Sequence, residues 1–436
     1  MSVLQLSTAS VDKLFLEYIK PGMDKMFVKN TVVYDRFKTN TENCLGKYGV
    51  QKLQTKGSKS ARPSSTSTFP TALQGAFDEF IFFMKRGMYA SLQFDGLALA
   101  CGKGAGAVKD LVKTEVEGQL VFISNSLNRI FWGDGSGRLA QLDAASSNST
   151  TVTIDHPYFG KDSSYYTTAH NYLEVDVPVD IYDTSGTLEA SNVAISSLTD
   201  DADGTSTLVM ASAVTASNNS WIFLHDTYAA SEAAGTGVPM GLYGIVSASN
   251  QTVGITATSA FQNINRSTYD YVCAQVFNMD PAGGTTLTVP TNKKILECIQ
   301  KLEKYGSVDV MLTNGAIWRA LYVILEADKT MPNPSDKAYW GGTSGITFYG
   351  GRQRAIPIVC DDDAPDSRIF FLDSSKIKVI APNKSGMEWL PGDSGHILNR
   401  VQGKDEYAAN MRWYYNMTVS NPKAEGVLTC VKHNES

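Results

Sequence analysis

The feature that most limits the fold is the run AVKDLVKTEVEGQLVFISNSLNRIF at residues 107–131, which keeps helical period from end to end. Val108, Leu111, Val112, Val116, Leu120, Ile123, Leu127 and Ile130 recur three and four residues apart and form one apolar stripe, with Lys109, Glu117, Asn125 and Asn128 opposite. The spacing predicts a single helix of about 37 Å at 1.5 Å per residue. GDGSG (133–137) follows at once. Glycines that cradle phosphate precede a helix, because the free N–H groups at its start point at the anion. These glycines come after the helix, so they read as a stop. Gly133 is expected in a left-handed cap, with Asp134, Gly135 and Gly137 reversing the chain.

On the N-terminal side, FIFFMKRGMYASLQF (80–94) alternates. Phe80, Phe82, Met84, Met88, Leu92 and Phe94 fall on one face, and Lys85, Tyr89, Ser91 and Gln93 on the other. Read as one strand it extends about 50 Å. Paired with residues 47–56 it makes a two-stranded arm, which is not stable by itself and needs a neighbour to lie on. Residues 9–40 carry a short helical pattern (Val11, Leu14, Phe15, Tyr18) broken at Pro21-Gly22.

On the C-terminal side the pattern changes twice. Between 172 and 226 come short alternating segments, VDVPVDIY, NVAISSL, STLVMASAV and SWIFLHD, with DTSG and DDADG between them. They predict an inserted antiparallel barrel or sandwich, with Asp203-Gly204 as a hairpin turn. From 291 to 330 the chain reads as α/β. Ile295, Leu296, Ile299 and Leu302 mark a helix, VDVML (308–312) a buried strand, and Thr313 or Asn314 caps a second helix. Further strands are expected at 355–360, 368–373, 376–382 and 407–419.

The length, 436 residues, allows two or three compact modules, and 43% apolar with 19% charged residues suits a globular chain. Charge is uneven. Residues 1–62 hold eleven Lys/Arg against five acids, whereas Asp162 to Asn265 contains eleven acids and no Lys or Arg. A basic end and an acidic middle attract each other between copies, although a plain solubilising face gives the same composition. The net charge of −6 argues against a dedicated nucleic-acid binder. The start MSVLQLSTASVDK lacks a basic stretch followed by an apolar run, and FIFFM is too short to span a bilayer. A soluble, non-secreted protein is expected.

Candidate chemistry is sparse. GLALACGKGAG (96–106) has neither Walker spacing nor the hydroxyl that binds magnesium. GDSG (392–395) and TTAH (167–170) partly match the nucleophile and base signatures of chymotrypsin-type proteases, but His396 stands where a glycine is required. TDDADG (199–204) has Thr199 and Met210 where a calcium loop needs carboxylates. Asp361-Asp362-Asp363 leaves a strand and is expected to be solvated. Trp318, Arg319 and Tyr322 mark either a contact face or a core Trp with a snorkelling Arg. Cys44, Cys101, Cys273, Cys298, Cys360 and Cys430 form no close pair and are expected as reduced core thiols. His156 and His170 lack the carboxylate framing of a metal site. No cofactor, metal or catalytic set is expected.

The order of elements resembles the major capsid protein of tailed bacteriophages, the Hong Kong 97-type shell fold. YDRFKTNTENCLGKYGVQ resembles the family's N-arm leading into its E-loop, and FIFFMKRGMYASLQFDGLALA the returning strand. The 107–142 stretch resembles the spine helix with its terminating turn. VDVMLTNGAIWRALYVILEADKT and FYGGRQRAIPIVCDDDAPDSRIFFLD resemble the axial domain. The resemblance implies an α+β fold with an N-terminal arm (1–45), an E-loop β-hairpin (46–95) and a peripheral domain with the spine helix (96–150). A connector (151–171), an inserted small antiparallel β-module (172–235), an axial α/β domain (236–385) and a return into the peripheral domain (386–436) complete it.

That resemblance implies a structural protein, not an enzyme. It would assemble through pentamers and hexamers into the icosahedral head around the double-stranded DNA of a tailed phage, without sequence-specific DNA binding and without a membrane. Portal, scaffolding and decoration proteins are the implied partners. The virion is the implied location, after assembly in the host cytoplasm. If the chain is complete, scaffolding is separate or absent, because only about forty-five residues precede the E-loop. Lys52, Lys56, Lys59, Arg62, Phe80, Phe82, Met84 and Arg86 are the E-loop residues expected between subunits, with Asp200, Asp201 and Asp203 as an acidic contact face. No residue is identified as a cross-link acceptor for Lys56 or Lys59. The competing readings are an encapsulin-type shell around cargo enzymes and, more distantly, a serine hydrolase built on GDSG.

Overall fold

In the computed structural model the described residues are 32–33, 36–37, 39–40, 48–61, 63, 69, 71–72, 74–83, 87–97, 107–158, 169–201, 204–230, 237–255, 257–327, 346–350, 354–382, 387–391 and 397–433. The helical period folds as α1, Ala107–Trp132. Ile123, Leu127 and Phe131, four residues apart, are its buried face, with Trp132 beside them. Trp132 meets Phe370 edge-on at 5.3 Å between centroids, and Phe131 meets Tyr415 at 5.8 Å. Two positions depart from the expected stripe. Leu120 is 41% exposed, and Asn128, placed on the polar side, is completely buried. The C-terminal half of α1 is covered on more than one side, so an amide there is enclosed and must find partners.

The turn after α1 is built around Asp134 rather than Gly133. The Gly133 N–H donates to Arg129 O and Ile130 O at 3.1 Å each, but its φ is not left-handed. Positive φ falls on Gly135 (89°) and Gly137 (81°), where L side chains are strained. The buried Asp134 carboxylate accepts the Ser136 N–H (2.9 Å), the Ser136 hydroxyl and the Arg138 guanidinium (2.7 Å). The reversal therefore sits two residues beyond the expected cap.

The expected 80–94 strand is two strands. β2 (Tyr48–Lys56) and β3 (Ala76–Phe83) form an antiparallel ribbon, whereas β4 (Met88–Asp95) pairs with β21 (Glu406–Trp413). The break comes at Gly87, whose φ is 75° and where a Cβ would lie 1.6 Å from Trp413 O. Alternation continues on both sides of the break, so it could not reveal a change of partner. β21 also pairs with β19 (Glu388–Leu390) and β20 (Asn399–Arg400). The expected last strand, 407–419, likewise divides into β21 and β22 (Asn416–Val419). β22 lies beside β18 (Ile377–Ile380), which also pairs with β1 (Thr39–Asn40).

β5 (Arg138–Leu142), β6 (Ser146–Asp155), β7 (Pro178–Tyr182), β8 (Leu188–Asp200), β9 (Ser206–Ala216) and β10 (Trp221–Leu224) close into a barrel in the order β10-β5-β6-β9-β8-β7. Inward side chains alternate along the strands, including Leu142, Ile154, Ile181, Ile195, Leu208 and Ile222, and fill the interior. The barrel thus begins directly after α1, with 138–155 supplying two of its strands, and not at the expected 172. SSNSTTVTID is too polar on its outer face to read as a strand by alternation.

The third unit is a mixed sheet, ordered β13 (Gln275–Asn278), β23 (Gly426–Thr429), β17 (Ile369–Leu372), β14 (Val310–Thr313), β16 (Arg354–Cys360) and β15 (Ile346–Gly350). A short helix α2 (Leu242–Ile245) and a small hairpin, β11 (Gln251–Val253) with β12 (Ala257–Ser259), precede it. α3 (Asn292–Leu302) and α4 (Gly315–Ala327) cover one face. β17 shows the two-sided burial. Ile369 and Phe371 pack with α3 and α4, while Phe370 and Leu372 pack with α1. Thr291 caps α3 by accepting the Lys294 N–H (3.3 Å), and Asn314 caps α4 by accepting the Ile317 N–H (2.9 Å).

Candidate functional site

The ribbon β2–β3 is the element least able to stand alone. Its root is gripped. Phe80 is buried edge-on against Phe261 at 5.6 Å, the Ile81 N–H donates to Gln262 O (3.1 Å), and the Tyr271 hydroxyl donates to Asp78. Leu53 also packs against the core, but towards the turn the aromatic side chains do not. Phe77 is 73% and Phe69 98% exposed, and Lys52, Lys56 and Lys59 are exposed. In the register Lys52 lies opposite Glu79, and Gln54 opposite Phe77. The sequence reading placed the apolar face on Phe80, Phe82 and Met84 and missed Phe77. An aromatic three residues from Phe80, and so on the opposite face of a strand, was the available signal. Arg62, Met84, Arg86 and the Phe82 side chain lie outside the described residues.

The acidic barrel uses many of its carboxylates internally. β8 and β9 pair antiparallel through Asp200 and Ser206, as the expected hairpin requires, with Gly204 at φ 87°. Asp201 accepts the Thr207 hydroxyl (2.8 Å), Asp200 is exposed, and Asp203 lies outside the described residues. Glu189 receives the Ser217 N–H (2.9 Å), the Ser217 hydroxyl (2.5 Å) and the Ser220 hydroxyl (2.6 Å). Ligand atoms of Asp180, His225 and Asp226 lie within 4.8 Å of one another. Both Asp180 oxygens are engaged, by the Asn192 N–H (2.8 Å), His225 Nδ1 (2.8 Å) and the Asp226 N–H (3.0 Å). Burial pushes Asp180 up, but these hydrogen bonds outweigh it and hold the carboxyl below the usual range. The set ties β7 to the turn after β10.

The loop Asp361–Asp363 is not solvated as expected. Asp361 and Asp363 are buried, and only Asp362 faces water. They meet Asn128 of α1, whose Nδ2 lies 3.2 and 3.1 Å from the Asp361 oxygens and 2.7 Å from Asp363 Oδ2. Their partners stand 233 and 235 residues away in sequence, so no local pattern could pair them.

The catalytic decoys gain no support. His170 Nδ1 pairs with Ser206 Oγ at 2.8 Å, and GDSG lies outside the described residues. His156 is enclosed, and burial lowers its pKa to about 3. Cys298 is a core thiol pushed up to about 12 by burial, whereas Cys360 is exposed, against expectation. Trp318 stacks on Tyr322 at 6.1 Å, half-buried beside an exposed Arg319. No described helix is long and apolar enough to cross a membrane.

The chain superposes on the capsid asymmetric unit of cyanophage A-1(L) with a TM-score of 0.54 and 10% identity, covering 94% of this chain and 95% of that one. The fold is that of a phage capsid protein. The capsid of a native GTA particle also aligns, at TM-score 0.46 and 9% identity over 95% of this chain and 96% of that one. An encapsulin from Synechococcus elongatus aligns at TM-score 0.25 and 16% identity over 37% of this chain and 54% of that one. No protein-family description and no curated protein matches the chain.

Proposed function

We propose that this chain is the major capsid protein of a tailed phage, a structural protein whose copies join as pentamers and hexamers into an icosahedral head around double-stranded DNA. The observation that carries the reading is end-to-end agreement with a phage capsid subunit, over 94% of the chain. In this reading β2–β3 is the E-loop, α1 the spine helix, and the sheet carrying α3 and α4 the axial domain. The β4–β21 sheet belongs to the peripheral domain, and the barrel is an added module. The ribbon supplies the physical reason for assembly: it is held by the subunit at its root alone, and its exposed Phe77 gains burial when another copy covers it. Its lysines and the acidic barrel of a neighbour steer the encounter. Portal, scaffolding and decoration proteins are the partners implied. Assembly in the host cytoplasm belongs to the same reading.

Negative-stain microscopy of the purified chain tests it, beside a variant in which residues 57–74 are replaced by a two-residue turn. The full chain is expected as closed particles of uniform diameter, and the shortened one as folded subunits or capsomers without shells. A full chain that stays monomeric at every concentration would contradict the reading, as would normal shells from the shortened one.

A further inference from the structure

Four separate parts of the chain meet at Asn128. Its side-chain oxygen accepts the Val33 N–H (3.0 Å), and its Nδ2 faces both Asp361 and Asp363. One turn on, Trp132 Nε1 donates to Asp361 Oδ2 (2.8 Å). The segment that leads into β7 reaches the same loop. Tyr172 donates to Asp363 O (3.2 Å), Asn171 Nδ2 donates to Asp362 O (3.2 Å), and Arg129 pairs with Glu174. The loop itself is fixed to the mixed sheet by the Asp361 N–H to Thr313 O bond (2.9 Å). The N-terminal segment, α1, the barrel's lead-in and the sheet are thus held by one buried polar cluster.

The cluster is unusual in charge. Two carboxylates are turned to one amide nitrogen, so like charges are held close in a water-poor site. The other titratable or charged groups facing it are Arg129 from α1, with Nε 4.0 Å from Asp363 Oδ1, exposed Asp362 from the loop, and Tyr172 and Glu174 from the lead-in. His156, Tyr158 and Tyr243 stand behind Tyr172.

We propose that this cluster is a proton-linked joint: with Asp363 protonated it locks the Val33 turn, α1 and the barrel's lead-in to the sheet, and ionisation of Asp363 loosens all three together. The titration behaviour agrees with the geometry. Burial raises the Asp363 pKa to about 6, with Asp361 and Asp362 adding to the rise and Asn128 and Arg129 opposing it. A carboxyl raised from about 3.9 in the unfolded chain contributes stability that is fully present below that value and is lost as pH rises through 6.

The test is thermal or denaturant unfolding of the full chain from pH 4 to 8, wild type against Asp363→Asn. Glu425, another buried carboxyl with a raised pKa, is common to both and cancels in the difference. The folding constant of the wild type relative to the variant is expected to fall about tenfold per pH unit between pH 4 and 6, and to level off above. Parallel curves would overturn the proposal. Should Asp363→Asn fail to fold, amide exchange of the wild type, corrected for intrinsic rates, decides. Segments 32–37, 128–134 and 169–174 are expected to lose protection together between pH 4 and 7 while the barrel strands hold theirs. A uniform response across the chain would refute the joint.

Discussion

The barrel and the β2–β3 ribbon use the same antiparallel pairing but treat their edges and faces differently. The barrel joins β7 to β10, leaves no open edge and fills its interior with side chains such as Leu142, Ile181 and Leu208. The ribbon has two strands, is gripped at its root by Phe261, Gln262 and Tyr271, and leaves Phe77 in water. One element is complete within the subunit. The other leaves Phe77 uncovered, which the proposed assembly would bury. Buried apolar area inside the chain therefore predicts subunit stability, while exposed apolar area on the ribbon predicts association.

Substitutions on the two sides should separate these properties. Ile181→Ala empties part of the barrel interior and is expected to destabilise the subunit by about 2–5 kcal/mol, read as a lower denaturation midpoint. Phe77→Ala is expected to leave that midpoint unchanged while weakening each intersubunit contact by about 2 kcal/mol, read as a higher concentration threshold for particles. If Phe77→Ala instead unfolds the subunit, the ribbon is part of the subunit's own core and the contrast fails. The triple change of Lys52, Lys56 and Lys59 to Glu is the mildest. It should slow particle formation at low salt, converge with the wild type as salt rises, and shift subunit stability by no more than about 0.5 kcal/mol. An effect that persists in high salt would mean the lysines act through packing rather than charge.

The sequence shows some of this and hides the rest for physical reasons. α1 was legible because its apolar period runs for seven turns, and the cap at Asn314 because it acts within three residues, whereas the cap at Thr291 went unread. Alternation located the strands but not their partners, so the switch at Gly87 stayed hidden inside FIFFMKRGMYASLQF. Of the barrel's first two strands, β6 was missed because its outward side is serine, asparagine and threonine, which read as loop, and β5, RLAQL, because five residues directly after the helix stop carry too little alternation. Asn128, Asp361 and Asp363 each look like surface residues locally; only the tertiary fold brings them together and encloses them. Likewise α1 ends where GDGSG begins, but which glycine turns the chain depends on Asp134, whose role shows only once Arg138 folds back onto it.

A ribbon completed by a neighbouring copy must be better protected in the particle than in the free subunit. Amide exchange across residues 76–83, compared between assembled particles and dissociated subunits, measures this directly. Strong additional protection of that segment is expected on assembly, with the interior strands of the barrel unchanged. Equal exchange in the two states would contradict it.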